Sequence, residues 1–255
     1  MTAPHDQARR ASSFGAVAED YDRFRPGPPV EALAWLLPYG CRDVVDIGAG
    51  TGALTRLLVG AAPRVVAAEP DSRMAAVLAH RVPGAGVVTA RAEELPLRDR
   101  SCDAVVGSSM WHWVDEERAP LEAARVLRPG GVLGILWSGW DRSDPALAEL
   151  LAGSGLAARP ADADPHRHRR QVRLPAGAPF SEVETHLLQW TLTVTASDLV
   201  GLAGTYSGFS VLPETEKARV RRELTDAVGR HLANTGASEM ELPMRCLCRR
   251  AVRGD

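Results

Sequence analysis

An acid and three closely spaced glycines make up the segment whose residue types are best suited to ligand chemistry. Asp46 lies inside a short apolar run that predicts a buried parallel strand, and Gly48, Gly50 and Gly52 follow it. From Ala53 onward the pattern is helical. Glycines allow a tight turn and the close approach of a ligand, and a helix start offers unpaired N–H groups. This strand–loop–helix unit therefore predicts a site for a nucleotide-like ligand.

The spacing of these glycines argues against a dinucleotide. The dinucleotide fingerprint reads G-x-G-x-x-G, and this chain does not meet that spacing. The Asp46 carboxylate would repel a pyrophosphate, but it could orient a ligand that carries an ammonium group. An ordinary strand–glycine turn, or a dehydrogenase variant, remains an alternative on this segment alone.

A second acid, Glu69, closes the next apolar run, which predicts a strand over 64–69. In doubly wound folds an acid at this point accepts hydrogen bonds from ribose hydroxyls, and we assign that role to Glu69. Its alternative is an ordinary solvated acid. Asp71 is the predicted N-cap of the following helix, and Met74 in its first turn is expected to contact the nucleotide-like ligand.

His112 stands between two tryptophans just past the fourth predicted strand, at the edge where open α/β sheets bind ligands. An imidazole pKa of about 6.5 suits proton removal at neutral pH, so His112 is the candidate general base. The alternative is a structural plug whose imidazole bonds to backbone. Aromatic rings suit a cationic centre. The candidate walls of a substrate pocket are Trp111, Trp113, Trp137, Trp140 and Tyr206.

The segment from Asp46 to Gly52 resembles motif I, D-x-G-x-G-x-G, of the class I S-adenosylmethionine (SAM) methyltransferases. Four further stretches resemble that family. Tyr21-Asp22-x-x-Arg25-Pro26 resembles its lid segment, and residues 91–97 resemble its adenine-binding stretch, D-A-E-x-L-P. Residues 102–105 resemble its F-D-x-V pattern, and residues 124–133 match its string A-R-V-L-R-P-G-G-x-L. Arg91 and Cys102 depart from these patterns, and Arg91 puts a simple copy of the adenine contact in doubt. The matches span residues 14–138, close to half of the chain.

The resemblance implies an enzyme that transfers a methyl group from SAM to oxygen, nitrogen or carbon of a small molecule and releases S-adenosylhomocysteine. The implied cofactor-binding residues are Tyr21, Arg25, Asp46, Gly48, Ala49, Gly50, Glu69, Pro70, Met74, Ala92, Glu93 and Ser108. The stretch 112–115, H-W-V-D, also resembles trans-aconitate-type enzymes, whose carboxylate acceptor needs no base. A non-catalytic SAM-binding protein and an NAD-dependent oxidoreductase are the rival readings.

The implied fold is an α/β, Rossmann-like, doubly wound sheet of seven mostly parallel strands, with an antiparallel last strand, helices on both faces and an N-terminal helical lid. We expect a single domain over 1–255. It divides into a lid and helix over 1–40, a SAM-binding core over 41–138, and an acceptor-side insertion that completes the sheet over 139–255. Within it, 128–131 is predicted as a turn before a fifth strand over 132–137, and 146–156 as a helix.

The charge and hydrophobicity of the chain argue against some classes of binding partner. With 30 basic and 32 acidic residues the net charge is −2, which argues against nucleic acid binding. The chain lacks an apolar run long enough to span a bilayer or to serve as a signal peptide, so we expect no membrane association and a cytoplasmic location. The stretch 166–170, H-R-H-R-R, is interpreted as a solvated loop, and no metal is expected. A monomer or homodimer acting on a small-molecule acceptor is the predicted state.

Overall fold

The computed structural model describes residues 24, 27–152, 171–206, 209 and 212–255. Its strands are β1 Asp43–Ile47, β2 Arg64–Ala68, β3 Gly86–Val88, β4 Cys102–Ser108, β5 Leu127–Trp140, β6 Glu184–Val194 and β7 Met240–Val252. They form one seven-stranded sheet in the order β3-β2-β1-β4-β5-β7-β6. β7 runs antiparallel to β5 and β6, whereas β1 to β5 pair in parallel. The predicted sheet is confirmed, including its antiparallel last strand.

Seven α-helices in the described part of the chain cover the sheet: α1 Val30–Leu36, α2 Ala53–Ala61, α3 Ser72–Arg81, α4 Arg118–Val126, α5 Pro145–Leu151, α6 Ala196–Gly204 and α7 Glu214–Thr235. α4 packs on the face that carries Val45, Val105 and Leu133. α1 and α2 pack on the opposite face, against Val44 and Leu136. The sheet is thus buried on both faces, and the apolar runs of its strands follow from that burial.

The helix starts follow local chemistry. The Asp71 side chain accepts hydrogen bonds from the N–H groups of Arg73 and Met74, which confirms it as the N-cap of α3. Asp144 caps α5 through the N–H of Leu147. The predicted end of that helix, at 156, lies outside the described residues.

The prediction for the fifth strand was wrong at both ends. β5 runs from Leu127 to Trp140, and the predicted turn at 128–131 is a bulge within it. Cys102 pairs with Leu127 while Ala104 pairs with Val132, so the extra residues of β5 loop out with Gly130 at φ +79°. The far end extends because β7 pairs with β5 throughout Val132–Trp140.

The second half of the chain builds a separate cluster on the α1/α2 face. Trp140, Leu199, Leu224 and Leu242 are buried there, from β5, α6, α7 and β7. Phe24 packs against the same cluster, where its ring lies against Gly201 of α6. The predicted lid residues Tyr21, Asp22, Arg25 and Pro26 lie outside the described residues, as does the stretch 166–170.

Candidate functional site

The parallel pairing of β1 to β4 brings most of the predicted cofactor residues to one edge of the sheet. Asp46 and the glycine loop end β1, Glu69 follows β2, and Ser108 ends β4. Pro70 and Met74 lie at the start of α3, while Ala92 and Glu93 follow β3. β1 has β2 on one side and β4 on the other, so this is a topological switch point, where doubly wound sheets bind ligands. Tyr21 and Arg25 lie outside the described residues.

The glycine loop combines tight packing with an open surface. Gly48, Gly50 and Gly52 have φ values of +58°, +58° and +96°, which disfavour other residues. A Cβ on Gly48 would lie 2.8 Å from the Met110 Cβ, and one on Gly52 would overlap Leu78. Among the described residues, a Cβ on Gly50 would have no heavy-atom neighbour within 4 Å. The backbone at Gly50 is therefore open to the close approach of a ligand.

Glu69 holds this loop in place. Its Oε2 accepts a hydrogen bond from the Gly50 N–H at 2.8 Å, and its Oε1 accepts one from the Asp71 N–H at 2.9 Å. Burial raises the pKa of the Glu69 carboxyl, while these two bonds act to lower it. Each oxygen keeps a lone pair, so the carboxylate can accept further hydrogen bonds from a ligand.

Asp46 is fully buried at the end of β1. Its Oδ2 accepts a hydrogen bond from the Thr55 hydroxyl at 2.6 Å, whereas its Oδ1 has no partner among the described residues. Burial, and then repulsion by Glu69, raise the pKa of Asp46 to about 7. The Thr51 hydroxyl is likewise buried without a partner in the described part of the chain. Two buried polar atoms, one at the end of β1 and one in the glycine loop, thus have no partner among the described residues, which fits a site that a polar ligand completes.

The predicted adenine stretch is anchored to the tryptophan–histidine turn. Glu93 is buried, and its Oε1 accepts a hydrogen bond from the Asp115 N–H at 2.8 Å. Its Oε2 lies 3.4 Å from Nε of Arg91, whose own side chain is largely exposed. Glu93 thus ties the end of β3 to the segment that follows β4, so an adenine contact would use its remaining lone pairs.

The sequence reasoning missed two residues of α4 that hold the same stretch. The Glu122 carboxylate accepts a hydrogen bond from the Leu95 N–H at 2.6 Å. Arg125 donates to the carbonyl oxygens of Leu95 at 3.0 Å and Leu97 at 2.8 Å, and it pairs with Glu122. The available signal was the acid–arginine spacing of three on one helix, with Arg125 inside the A-R-V-L-R-P-G-G string.

The turn after β4 is strained and buried. Ser109 has φ +56°, a left-handed conformation that costs a non-glycine residue about 1–3 kcal/mol. Its N–H donates to the Leu136 carbonyl at 2.8 Å. A 3₁₀ turn over Trp111–Trp113 follows, in which Trp111 is fully buried. The His112 and Trp113 rings are tilted, with centroids 4.6 Å apart. Strain of this kind concentrates at functional sites.

The five predicted pocket aromatics form two groups. Trp111, Trp113 and Trp137 belong to the cluster on the α4 face. Trp140 lies on the other face of β5, with its ring edge-on to Tyr206 and centroids 5.4 Å apart. Residues 137 and 140 have opposite parity along one strand, so their side chains leave opposite faces. The contribution of each group to an acceptor pocket stays a prediction.

A depression of about 210 Å³ lies at the opposite edge of the sheet, between Tyr39 and Pro129. Its charged residues are already paired, since Arg128 bonds to Asp103 at 2.5 Å and to Asp43 at 3.1 Å. It is remote from the carboxyl ends of the strands and does not belong to the candidate site. Within the described ranges, no group of three or more His, Cys, Asp or Glu side chains could hold a metal ion, and no helix is long and apolar enough to cross a membrane.

Comparisons with known proteins agree with this geometry. A profile described as methyltransferase domain matches residues 45–135. An uncharacterized methyltransferase of Mycobacterium tuberculosis is 38% identical over 94% of this chain and 95% of its own length. A malonyl-[acyl-carrier protein] O-methyltransferase of Methylococcus capsulatus is 34% identical over 86% of this chain and 78% of its own.

A solved structure from Anaeromyxobacter dehalogenans, assigned to the type II methyltransferases, superposes with a TM-score of 0.69. It is 25% identical and covers 90% of this chain and 98% of that one. The relative from M. tuberculosis matches nearly the full length of the chain. The seven-stranded sheet with an antiparallel last strand is the fold that the resemblance implied. The chain belongs to the class I SAM-dependent methyltransferases and is an enzyme that transfers methyl groups.

Proposed function

We propose that this methyltransferase binds SAM over the carboxyl ends of β1 to β3 and methylates oxygen, nitrogen or carbon of a small-molecule acceptor. The observation that carries the proposal is the Glu69–Gly50 hydrogen bond, 2.8 Å long, beneath a backbone surface that a ligand can approach closely. When bound, SAM supplies a methyl group that its sulfonium already activates. The task of the protein is to align the acceptor and exclude water, and alignment alone contributes about 7–11 kcal/mol in favourable cases.

Each cofactor residue has a role that its chemistry supports. Glu69 accepts hydrogen bonds from the ribose hydroxyls through its remaining lone pairs. Asp46 faces a cationic group, since its Oδ1 is a buried acceptor without a partner among the described residues. Met74, 6% exposed in the first turn of α3, packs on the adenine, and the stretch at Ala92 and Glu93 borders the adenine edge.

The acceptor side follows from the order of the strands. Because all the described cofactor residues except Ser108 lie in or follow β1 to β3, the acceptor binds beyond β4 and β5, beside His112 and the aromatic group on the α4 face. His112 removes a proton where the acceptor needs it. Residues 139–255 complete the sheet and supply the second aromatic group within one domain, and the enzyme works as a monomer or homodimer.

A carboxyl methyltransferase acting on an organic acid is the second candidate. It is supported by similarity to the M. capsulatus relative, whose name assigns it methylation at oxygen of a malonyl group. A carboxylate is already a nucleophile and needs no general base. The two candidates therefore differ in what they require of His112.

The proposal is tested by calorimetry and by methyl transfer from tritiated SAM to a metabolite panel. Wild-type protein should bind SAM and S-adenosylhomocysteine, Glu69→Gln should bind both more weakly, and the exposed Glu94→Gln should match the wild type. Binding of NAD without SAM, or equal affinities of the three proteins for SAM, would overturn the assignment. Turnover on the panel then identifies the methylated atom.

A further inference from the structure

Three tryptophans at the carboxyl edge of the sheet have buried indole N–H groups without a hydrogen-bond partner among the described residues. They are Trp111, Trp137 and Trp140, which are 0%, 5% and 5% exposed. Buried polar groups in native proteins are almost always paired, and three such donors near one edge call for an explanation. An indole nitrogen donates and cannot accept, so the missing partner must present a lone pair.

Two of these donors, Trp111 and Trp137, belong to the same buried cluster. Ser108 pairs with Leu136 across β4 and β5, and the Ser109 N–H donates to the Leu136 carbonyl. Trp137 is therefore level with the start of the turn that carries Trp111. Both indoles belong to the buried cluster on the α4 face. Trp140 lies on the other face of β5, with Tyr206, and is not part of this pair.

The pair lies on the acceptor side of the site. Trp111 follows β4 and Trp137 lies near the end of β5, whereas the glycine loop and Glu69 follow β1 and β2. Met110 separates the two regions, since its side chain packs against Gly48 and Gly107. An atom that accepts hydrogen bonds from these two indoles is therefore assigned to the methyl acceptor and not to the adenosine of the cofactor.

We propose that the indole N–H groups of Trp111 and Trp137 select an acceptor that presents a carboxylate or carbonyl oxygen beside the atom to be methylated. This inference rests on the proposed function and deepens it. An ammonium group offers no lone pair to these donors, and burying it against them would be unfavourable. The pair thus acts as a specificity determinant that favours oxo acids and carbonyl compounds over amines.

The test is a ¹H–¹⁵N spectrum of the indole groups of the full chain, saturated with S-adenosylhomocysteine. The probes are malonate, succinate and benzoate, matched against 1,4-diaminobutane and benzylamine. The chain has six tryptophans. Trp111→Phe and Trp137→Phe assign two resonances directly. If either variant fails to fold, Phe variants of Trp35, Trp113, Trp140 and Trp190 assign the pair by elimination.

We expect at least one carboxylate to move both resonances while the amines leave them in place. Trp137→Phe should weaken binding of that carboxylate about tenfold and leave S-adenosylhomocysteine affinity within twofold. Trp35→Phe is the matched control and should change neither, because the Trp35 ring stacks on His186 on the opposite face of the sheet.

Shifts caused by S-adenosylhomocysteine alone would assign the donors to the cofactor and overturn the inference. The inference would also be overturned if none of the three carboxylates shifted either resonance, or if the amines shifted both resonances as much as the carboxylates did. In each of these cases the calorimetric affinity for S-adenosylhomocysteine still reports on the proposed function separately. Loss of that affinity in the wild type would instead remove the proposed function itself.

Discussion

The Glu69 carboxylate accepts a hydrogen bond from the backbone N–H of Gly50, so the acid that ends β2 fixes the glycine loop that ends β1. A second bond, from the Asp71 N–H, ties the same carboxylate to the start of α3. One side chain thus sets the relative positions of three segments around the candidate cofactor site. An acid after an apolar run, which is visible in the sequence, therefore helps to shape the candidate cofactor site.

Glu69→Ala should lower SAM affinity by about 1.5–3 kcal/mol, which is the usual contribution of hydrogen bonds to a charged group. Part of that loss comes from the ribose contact and part from release of the Gly50 loop. Calorimetric titration measures it, and Glu69→Gln separates the parts because the amide oxygen can still accept from Gly50. An affinity for SAM equal to wild type in both variants would contradict the role.

The structural features that could be predicted from the sequence are those whose causes lie in neighbouring residues. The strands β1 and β4, the Asp71 cap and the position of Glu69 at the end of the second strand follow from short runs of sequence, and the structure has them at the predicted places. The bulge in β5 was not predictable, because Arg128 is held there by Asp43 and Asp103 from other strands. The glycines of 128–131 read as a turn when those partners are unknown.

The candidate site likewise combines features with local causes and features that depend on distant residues. The cofactor residues lie at one edge because parallel strands end together, which the βαβ spacing already implies. The split of the aromatics depends on β5 continuing from Trp137 to Trp140, and that extension is set by pairing with β7. The clamp of Glu122 and Arg125 on the stretch 95–97 is a contact between an α-helix and a loop, and the spacing of the two residues on the helix does not specify which loop they hold.

Asp46 should make stability depend on pH. Its pKa is raised from 3.8 to about 7 in the folded protein, so the folded state binds the proton more tightly than the unfolded state. The free energy of unfolding therefore falls as pH rises from about 4 through 7, with an upper bound of about 4 kcal/mol for this group. Below pH 4 the contribution is fully present.

Asp46→Asn keeps an acceptor for the Thr55 hydroxyl and removes the titration. Denaturant unfolding at pH 5 and pH 8 should show the wild type losing more stability than the variant across that interval. A parallel decline in both proteins would assign the pH dependence to other groups. The same pair of proteins tests ligand binding, since a cation bound beside Asp46 should release a proton near pH 7.

The α4 clamp should position the adenine stretch without touching the reacting atoms. Arg125→Ala removes two hydrogen bonds to the carbonyl oxygens of Leu95 and Leu97, and should raise KM for SAM about five- to tenfold. The kcat at saturating SAM should stay within about twofold, because the acceptor side keeps its contacts. The exposed Arg98→Ala is the control in the same loop. A fall in kcat with unchanged KM for SAM would contradict a positioning role.

His112 is the residue that separates the two candidate reactions. If it is a general base, His112→Gln should lower kcat by about 10²–10⁴-fold with SAM affinity nearly unchanged. The wild-type rate should then rise with pH as the imidazole loses its proton, and the variant should lose that step. If the acceptor is a carboxylate, no proton is removed, and the same change should raise KM for the acceptor and leave the pH profile in place.

A structural plug beside the Trp113 ring predicts a third result, in which the melting temperature falls and the surviving folded protein keeps most of its rate. His80→Gln, exposed at the end of α3, is the matched control for a histidine outside the site. Measuring pH–rate profiles and melting temperatures on these proteins distinguishes the three roles, and a His112→Gln enzyme with full activity and wild-type stability would place His112 outside the site.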